Sequence, residues 1–326
     1  MPLVTDPSPQ SNPVGAVIIG RNEGARLTAC LASFPPAVRP LIYVDSGSTD
    51  GSVAAAEALG AEVVALDMSV PFTAARARNA GLERLVQHGA PAFVQLVDGD
   101  CRMQPGWVET AAAFLVAHPD VAVVCGRRRE VHPEASIWNR LCDAEWDTPV
   151  GEAKACGGDA LMRLEAVRAV GGYDPTLIAG EEPELCVRLR QAGWRVWRID
   201  QEMTLHDAAL TRVGQWWKRS RRGGHAFAEG AAMHGAPPES HWVAETRRAV
   251  LWGAVLPVLA FIGMAFTPWA GVILLAYPLQ ILRLSRRLGW ERGVFTVLAK
   301  FPEAQGVLQY CLNRIRNRRA GLIEYK

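Results

Sequence analysis

Short apolar runs alternate with longer amphipathic ones over the first 131 residues. VGAVIIG, PLIYVD, AEVVALD, AFVQLVD and VAVVCGRR are short and rich in β-branched residues, as buried strands are. Between them, ARLTACLASF, SVAAAEALG, FTAARARNAGLERLVQHG and GWVETAAAFLVAHP have helical length and spacing. The alternation predicts an α/β fold, a mostly parallel central sheet flanked by helices, with residues 14–131 forming one half. Ligands of such sheets sit beyond the carboxyl ends of the strands, so the loops there are the places to look for chemistry.

A different pattern fills the far end. Between Arg248 and Arg283 run 34 residues without a charged side chain, broken by Thr267-Pro268. One spanning helix needs about 20 apolar residues, so the run predicts an apolar helical hairpin over 248–287. A helical pair buried inside a soluble protein is the alternative. Arg247 and Arg248 before it and Arg283, Arg286 and Arg287 after it place both ends on the cytoplasmic side by the positive-inside bias. The tail, 288–326, sets Arg314, Arg316, Arg318 and Arg319 beside Val307, Leu308, Leu312 and Ile315, a basic amphipathic pattern suited to an anionic lipid surface or to solvent.

Composition adds boundaries. With 35 Lys+Arg against 33 Asp+Glu the net charge is +2, which gives no reason to expect nucleic acid. The seven cysteines show no CxxC pair, so neither a zinc site nor a disulfide framework is expected, and the setting is reducing. Residues 1–13, rich in Pro and Ser, are expected to be a flexible leader without an export signal.

The strand-end loops hold the candidate chemistry. GRNEG supplies Arg21, Asn22 and Glu23, and DSGSTDGS opens with Asp45, placed either to contact a nucleoside or to form a turn. Phe93 to Asp98 ends in a carboxylate, and Asp100 follows across Gly99. Two acids that close repel unless a cation lies between them, and hard oxygen donors suit Mg2+ or Mn2+ bridging to a diphosphate.

In order, VIIGRNEG, VDSGSTDGS, ARARNAG, LVDGD, GGDALMRLEAVRAVGGYDP and AGEEPELCVRLRQAGWRV resemble glycosyltransferase family 2 across residues 14–206. The resemblance implies a nucleotide-diphospho-sugar transferase fold of the GT-A type and an inverting, hexosyltransferase-like reaction. It places donor contacts on Arg21, Asn22, Glu23, Asp45, Ser46, Arg78, Asn79, Asp98 and Gly99, and a metal on Asp98 and Asp100. His206, at the end of an apparent strand, joins them as a ligand of metal or diphosphate. It makes Glu182 the base, with Glu181 and Glu184 as rivals; an acidic first turn of a helix is the structural alternative. Gly157, Gly158, Asp159, Trp216, Trp217 and Arg219 are assigned to the acceptor side or a lid. Trp216, Trp217 and Arg219, in QWWKR, serve equally as an interfacial anchor.

The expected layout is a catalytic domain at 14–230 (halves 14–131 and 132–230), a linker at 231–247, the hairpin and the tail. The expected function is metal-dependent transfer of sugar from a nucleotide-diphosphate donor to a lipid-linked or saccharide acceptor in envelope or exopolysaccharide synthesis. Membrane lipids are the expected surroundings, at the cytoplasmic face of the plasma membrane. A polyprenyl-phosphate sugar synthase and a non-catalytic nucleotide-sugar sensor or scaffold are the alternatives.

Overall fold

A computed structural model describes residues 13–318 together with 321 and 323. The expected leader, apart from Pro13, and Arg319 of the tail lie outside the described residues.

Nine strands form one sheet: β1 (Val14–Gly20), β2 (Leu41–Asp45), β3 (Glu62–Ala65), β4 (Phe93–Asp98), β5 (Cys101–Met103), β6 (Val121–Glu130), β7 (Gly151–Ala153), β8 (Ala160–Arg163) and β9 (Arg195–His206). The order is β3-β2-β1-β4-β8-β6-β9-β5, with β7 also on β9. The alternating half is parallel as expected, β1 pairing with β2 and β4, and β2 with β3. The rest departs from the parallel pattern, because β8 is antiparallel to both β4 and β6, and β5 and β7 are antiparallel to β9. These reversed strands are only three or four residues long, too short for a period-2 pattern to register.

Since β8 reverses between β4 and β6, the carboxyl ends of β1, β2, β4, β6 and β9 share one edge. The core beneath includes Ile18, Val44, Leu96 and Leu161, all fully buried, each such side chain contributing about 1.5–3 kcal/mol over exposure. At the far end β9 returns to β5, and the register opposes His206 to Cys101. That register sets the histidine beside Asp100.

Eight helices belong to this body: α1 (Ala25–Ala32), α2 (Ser52–Ala58), α3 (Ala74–Gln87), α4 (Trp107–Ala117), α5 (Ile137–Trp146), α6 (Leu164–Ala169), α7 (Glu181–Gln191) and α8 (Val213–His234). Thr73 caps α3 by accepting from the Arg76 N–H at 3.1 Å. Gly180 starts α7 at φ 81°, a left-handed conformation that favours glycine. α8 continues four residues beyond the expected boundary at 230.

α9 (Val243–Val250), a π turn at Leu251–Val255 and α10 (Leu256–Met264) make one rod, Val243–Met264. The π turn precedes Pro257, whose missing N–H interrupts the α-helical ladder. The chain turns at 265–267 and returns through a 3-10 stretch, Pro268–Leu275, and α11 (Ala276–Leu288). The expected hairpin is present, and its break falls at Thr267-Pro268. Its first arm is the one helix among the described residues long and apolar enough to cross a membrane, and only 11% of its apolar window is buried. Phe266 (86%) and Trp269 (81%) are exposed at the tip. Little of that arm is buried within this chain.

α12 (Trp290–Leu298) and α13 (Lys300–Ile315) follow. α13 packs on α8 where Gly224 meets the backbone of Glu303 and Gly306 that of Arg221, so the helices approach where no Cβ would fit. Val307 is therefore buried here, whereas Leu308, Leu312 and Ile315 face outward.

Candidate active site

A cleft of about 640 Å3 opens at the shared strand edge. Arg21, Asn22 and Glu23 line it from the loop after β1, and Asp98, Gly99 and Asp100 from the end of β4. The first loop is held in place: Asn22 N–H donates to Ser48 Oγ (2.9 Å), and Asn22 Oδ1 accepts from Thr49 N–H (2.7 Å).

Arg78 lies at the centre, its side chain only 3% exposed. Nη2 donates to Asp98 Oδ1 at 2.9 Å, and Nη1 contacts Glu181 Oε1 and Glu182 Oε1, each at 2.9 Å. Burial works against its charge, but Glu182, Asp98 and Glu181 hold the guanidinium well above its ordinary value. Arg78 thus ties three acids together rather than presenting a free cation to a diphosphate.

The geometry separates the three glutamates. Glu184 is bound by Arg188 (2.6–3.0 Å) and by His234 Nε2 (2.9 Å), and lies off the cleft. Glu181 is buried on Arg78. Glu182 faces the cleft with 13% of its side chain exposed. Burial, against the pull of Arg78 and with Glu181 and Asp98 nearby, pushes its carboxyl up to about 7, the range of a general base working at neutral pH.

In the same cleft, Asp100 Oδ1 lies 3.2 Å from His206 Nε2, and both side chains are buried. With Cys101 they form a cluster of possible ligand atoms within 4.8 Å of one another. Burial first, then Asp159 and Asp100, pushes the Cys101 thiol up; Asp100 and His206 contribute a carboxylate and an imidazole. His206 Nδ1 is also buried without a hydrogen-bond partner. A carboxylate oxygen beside an imidazole nitrogen suits Mn2+ better than Mg2+, which prefers oxygen ligands throughout. Asp98, expected as a third ligand, is turned to Arg78 and lies outside this cluster.

Several expected positions are placed elsewhere. Asp45 ends β2 but does not line the cleft: Oδ1 accepts from the Tyr43 hydroxyl (3.0 Å), Oδ2 from the N–H groups of Gly47 (3.0 Å) and Ser48 (2.9 Å). Its neighbour Ser46 is buried. Asn79 pins the Tyr173 backbone, donating to its carbonyl (2.8 Å) and accepting from its N–H (2.9 Å). Asp159 is fully buried and accepts from Thr204 Oγ1 (2.5 Å). Of Gly157, Gly158 and Asp159, Gly158 lines the cleft and the other two do not. Trp216 stacks on Trp138 (centroids 5.1 Å apart) and meets Phe295 edge-on, and Trp217 donates to Gln305 (2.9 Å). Buried packing between α5, α8 and α12 replaces the open aromatic anchor expected for Trp216. Arg219 pairs with Glu145 at 2.8 Å while lining the cleft.

Arg128, which the sequence reading passes over, also lines the cleft. Its Nη2 lies 2.7 Å from Asp159 Oδ1 and its guanidinium 5.3 Å from the Trp146 ring centre. Register shifts on either side of Arg127 aim it there. No sequence period announces a bulge.

Gly158 sits where the acids converge. A Cβ there would lie 2.7 Å from Arg78 Nη2, 3.1 Å from Asp98 Oδ2 and 3.3 Å from Glu182 Oε1. Gly158→Ala is expected to keep the fold and to lower kcat/KM about a hundredfold, since misplacement by about 1 Å has that effect; steady-state kinetics beside a melting curve checks it.

Comparisons with known proteins bear on the family and the fold. Residues 16–159 match Glycosyl transferase family 2. Succinoglycan biosynthesis protein ExoA of Rhizobium meliloti (strain 1021) is 26% identical over 270 residues, 77% of this chain and 78% of that protein. Pre-mycofactocin glycosyltransferase of Mycobacterium tuberculosis (strain CDC 1551 / Oshkosh) is 28% identical over 249 residues, 71% of this chain and 51% of that protein, about half its length. Among solved structures, mannosyltransferase PcManGT from Pyrobaculum calidifontis in complex with GDP-Man and Mn2+ aligns with a TM-score of 0.63 at 18% identity, over 94% of this chain and 90% of that one. At that identity the likeness speaks for the fold. The matched segment, the order of its motifs and the strand-edge cleft lead to one statement: residues 16–159 carry a glycosyl transferase family 2 match, and the chain is a transferase.

Proposed function

We propose that the protein is a membrane-associated, metal-dependent, inverting glycosyltransferase that moves a sugar from a nucleotide-diphosphate donor to a lipid-linked or saccharide acceptor at the cytoplasmic face of the membrane. The observation that carries this reading is that Glu182 and the Asp100–His206 pair line one cleft. ExoA, named for succinoglycan biosynthesis, supports an exopolysaccharide role; the GDP-Man and Mn2+ of the archaeal structure support the donor class and metal. The hairpin's exposed apolar arms support a bilayer location. The layout we favour follows the one drawn from the sequence (catalytic domain 14–230, linker 231–247, hairpin 248–287, tail 288–326), with α8 carrying the catalytic domain on to 234 and the hairpin's first arm beginning at 243.

Asp100 and His206 would hold the cation, which when bound supplies positive charge to a departing diphosphate. The residues do the rest. Arg78 holds Glu182 through Oε1, leaving Oε2 to accept the proton of the acceptor hydroxyl. The hydroxyl oxygen bonds to the anomeric carbon from one face, while the bond to the diphosphate oxygen breaks on the other and its electron pair leaves with the nucleotide. Arg128 and Arg219 line the same cleft and offset the negative charge of the acids and phosphates.

Incubating the detergent-purified protein with radiolabelled nucleotide sugars and either a bacterial lipid extract or soluble glycans tests this. Metal-dependent incorporation into lipid is the expected result. Incorporation into soluble glycans alone would remove the lipid acceptor, and incorporation into neither would remove the transfer.

A further inference from the structure

Glu182 has space on both sides. Behind it lies a second cavity, also about 640 Å3, within the range of ligand sites. Gly180, Glu182, Arg219 and Arg222 line both spaces, so the two meet at the base. The near wall of the second cavity belongs to α7 and α8, the far wall to α12 and α13, which directly follow the apolar hairpin.

The charge balance differs from that of the acid-centred cleft. Four cations, Arg219, Arg222, Arg292 and Lys300, face three carboxylates, Glu145, Glu182 and Glu303. Arg219 is paired with Glu145 (2.8 Å) and Lys300 with Glu303 (2.5 Å), and Arg292 is brought in by α12. Such a cluster is suited to phosphate oxygens.

The remaining wall is aromatic. Trp242 sits at φ 53°, a left-handed conformation that is an outlier for a bulky side chain. It is held there by a stack on His241 (4.2 Å) and an edge contact with Phe227 (5.3 Å), and its ring covers Gly180, where no side chain would fit. The residue that opens the rod Val243–Met264 therefore packs against the start of the helix carrying Glu182. The hairpin arm α11 packs on α12, which lines the cavity, and its Leu279 and Leu282 are exposed, as is Trp290 at the start of α12.

Resting on the transferase reading above, we propose that this second cavity is the acceptor site and takes a phosphate-bearing amphiphile. Its phosphate lies on Arg292 and Lys300, its apolar chain leaves along the exposed face of the hairpin, and its sugar hydroxyl reaches Glu182. The proton of that hydroxyl passes to Glu182 as the new glycosidic bond forms and the donor's bond to diphosphate breaks.

The test uses the full chain in detergent and three probes: farnesyl phosphate, farnesol and inorganic phosphate, titrated calorimetrically without metal into wild type, Arg292→Ala, Arg292→Lys and Lys300→Ala. Nucleoside diphosphate binding with Mn2+ is measured for each. Farnesyl phosphate is expected to bind the wild type at least about tenfold more tightly than either fragment. Arg292→Ala and Lys300→Ala are each expected to weaken it about tenfold or more, the worth of a hydrogen bond to a charged group, and Arg292→Lys to recover most of it. Nucleotide binding stays unchanged throughout. Equal affinity in wild type and both alanine variants overturns the site. Farnesol binding as well as farnesyl phosphate overturns the phosphate contact, and inorganic phosphate doing so overturns the amphiphile in favour of a free anion. Nucleotide binding intact beside any of these leaves the transferase reading standing; its absence from the wild type removes both.

Discussion

Glu182→Gln abolishes sugar transfer to a hydroxyl acceptor while leaving nucleotide binding intact. The expected fall in kcat is about a hundred- to ten-thousandfold, the contribution of a positioned general base. Transfer to a phosphate oxygen, which is already ionised, would survive, so the same variant separates a hydroxyl-directed enzyme from a polyprenyl-phosphate sugar synthase. In the wild type the carboxyl is pushed up to about 7 by burial, so activity should rise through that pH and level off above it. A stability change accompanies this. Because the folded pKa lies above the unfolded value, the stability Glu182 contributes is fully present below the ordinary carboxylate range and is lost as pH rises through about 7. Glutamine never ionises, so Glu182→Gln is expected to be about 3 kcal/mol more stable than wild type at pH 8 and nearly equal at pH 4. Denaturant titrations at both values check this; a variant that keeps full hydroxyl transfer contradicts the assignment.

Arg78→Met should destabilise the fold more than any other substitution in the cleft. Three carboxylates converge on one buried guanidinium, and removing one partner of a buried ion cluster costs about 3–5 kcal/mol. Without the cation the acids would titrate higher, and a raised carboxylate pKa takes away stability as pH rises through it. The deficit relative to wild type should therefore be larger at pH 8 than at pH 5, where protonation relieves the repulsion. Arg78→Lys should recover only part of it, since an ammonium lacks the planar fork that reaches all three. Equal unfolding midpoints for Arg78→Met and wild type at both pH values would mean that the arginine does not hold the acids.

What could be read in advance follows from the range of the interactions. The strands of the parallel half and the uncharged hairpin are local patterns, and their periods suffice to find them. Asp98 and Asp100 stand two residues apart at a strand end, so their meeting at a cleft is also local. The choice among Glu181, Glu182 and Glu184 is not. It depends on Arg78, over a hundred residues earlier, and on His234, fifty later. Asp45 illustrates the opposite limit: a turn of its own neighbours takes up both oxygens, and no residue type distinguishes that from a nucleoside contact. Asn79 finds its partner 94 residues away at Tyr173, and Arg128 is aimed by a bulge. Trp216 reads as a sugar platform or a lipid anchor because its partners, Trp138 and Phe295, come from distant helices.

The reading rests on a metal-assisted nucleotide-diphosphate site at the strand edge, in the cleft that Glu182 also lines. Isothermal titration of UDP, GDP, CDP and dTDP into the detergent-purified protein, with and without Mn2+, tests it most directly when repeated on Asp100→Ala and His206→Ala. One nucleotide binding in a Mn2+-dependent way, with both variants losing that dependence, is the predicted result. Binding of none of the four by the wild type, or binding that neither the metal nor the two substitutions alter, would contradict it.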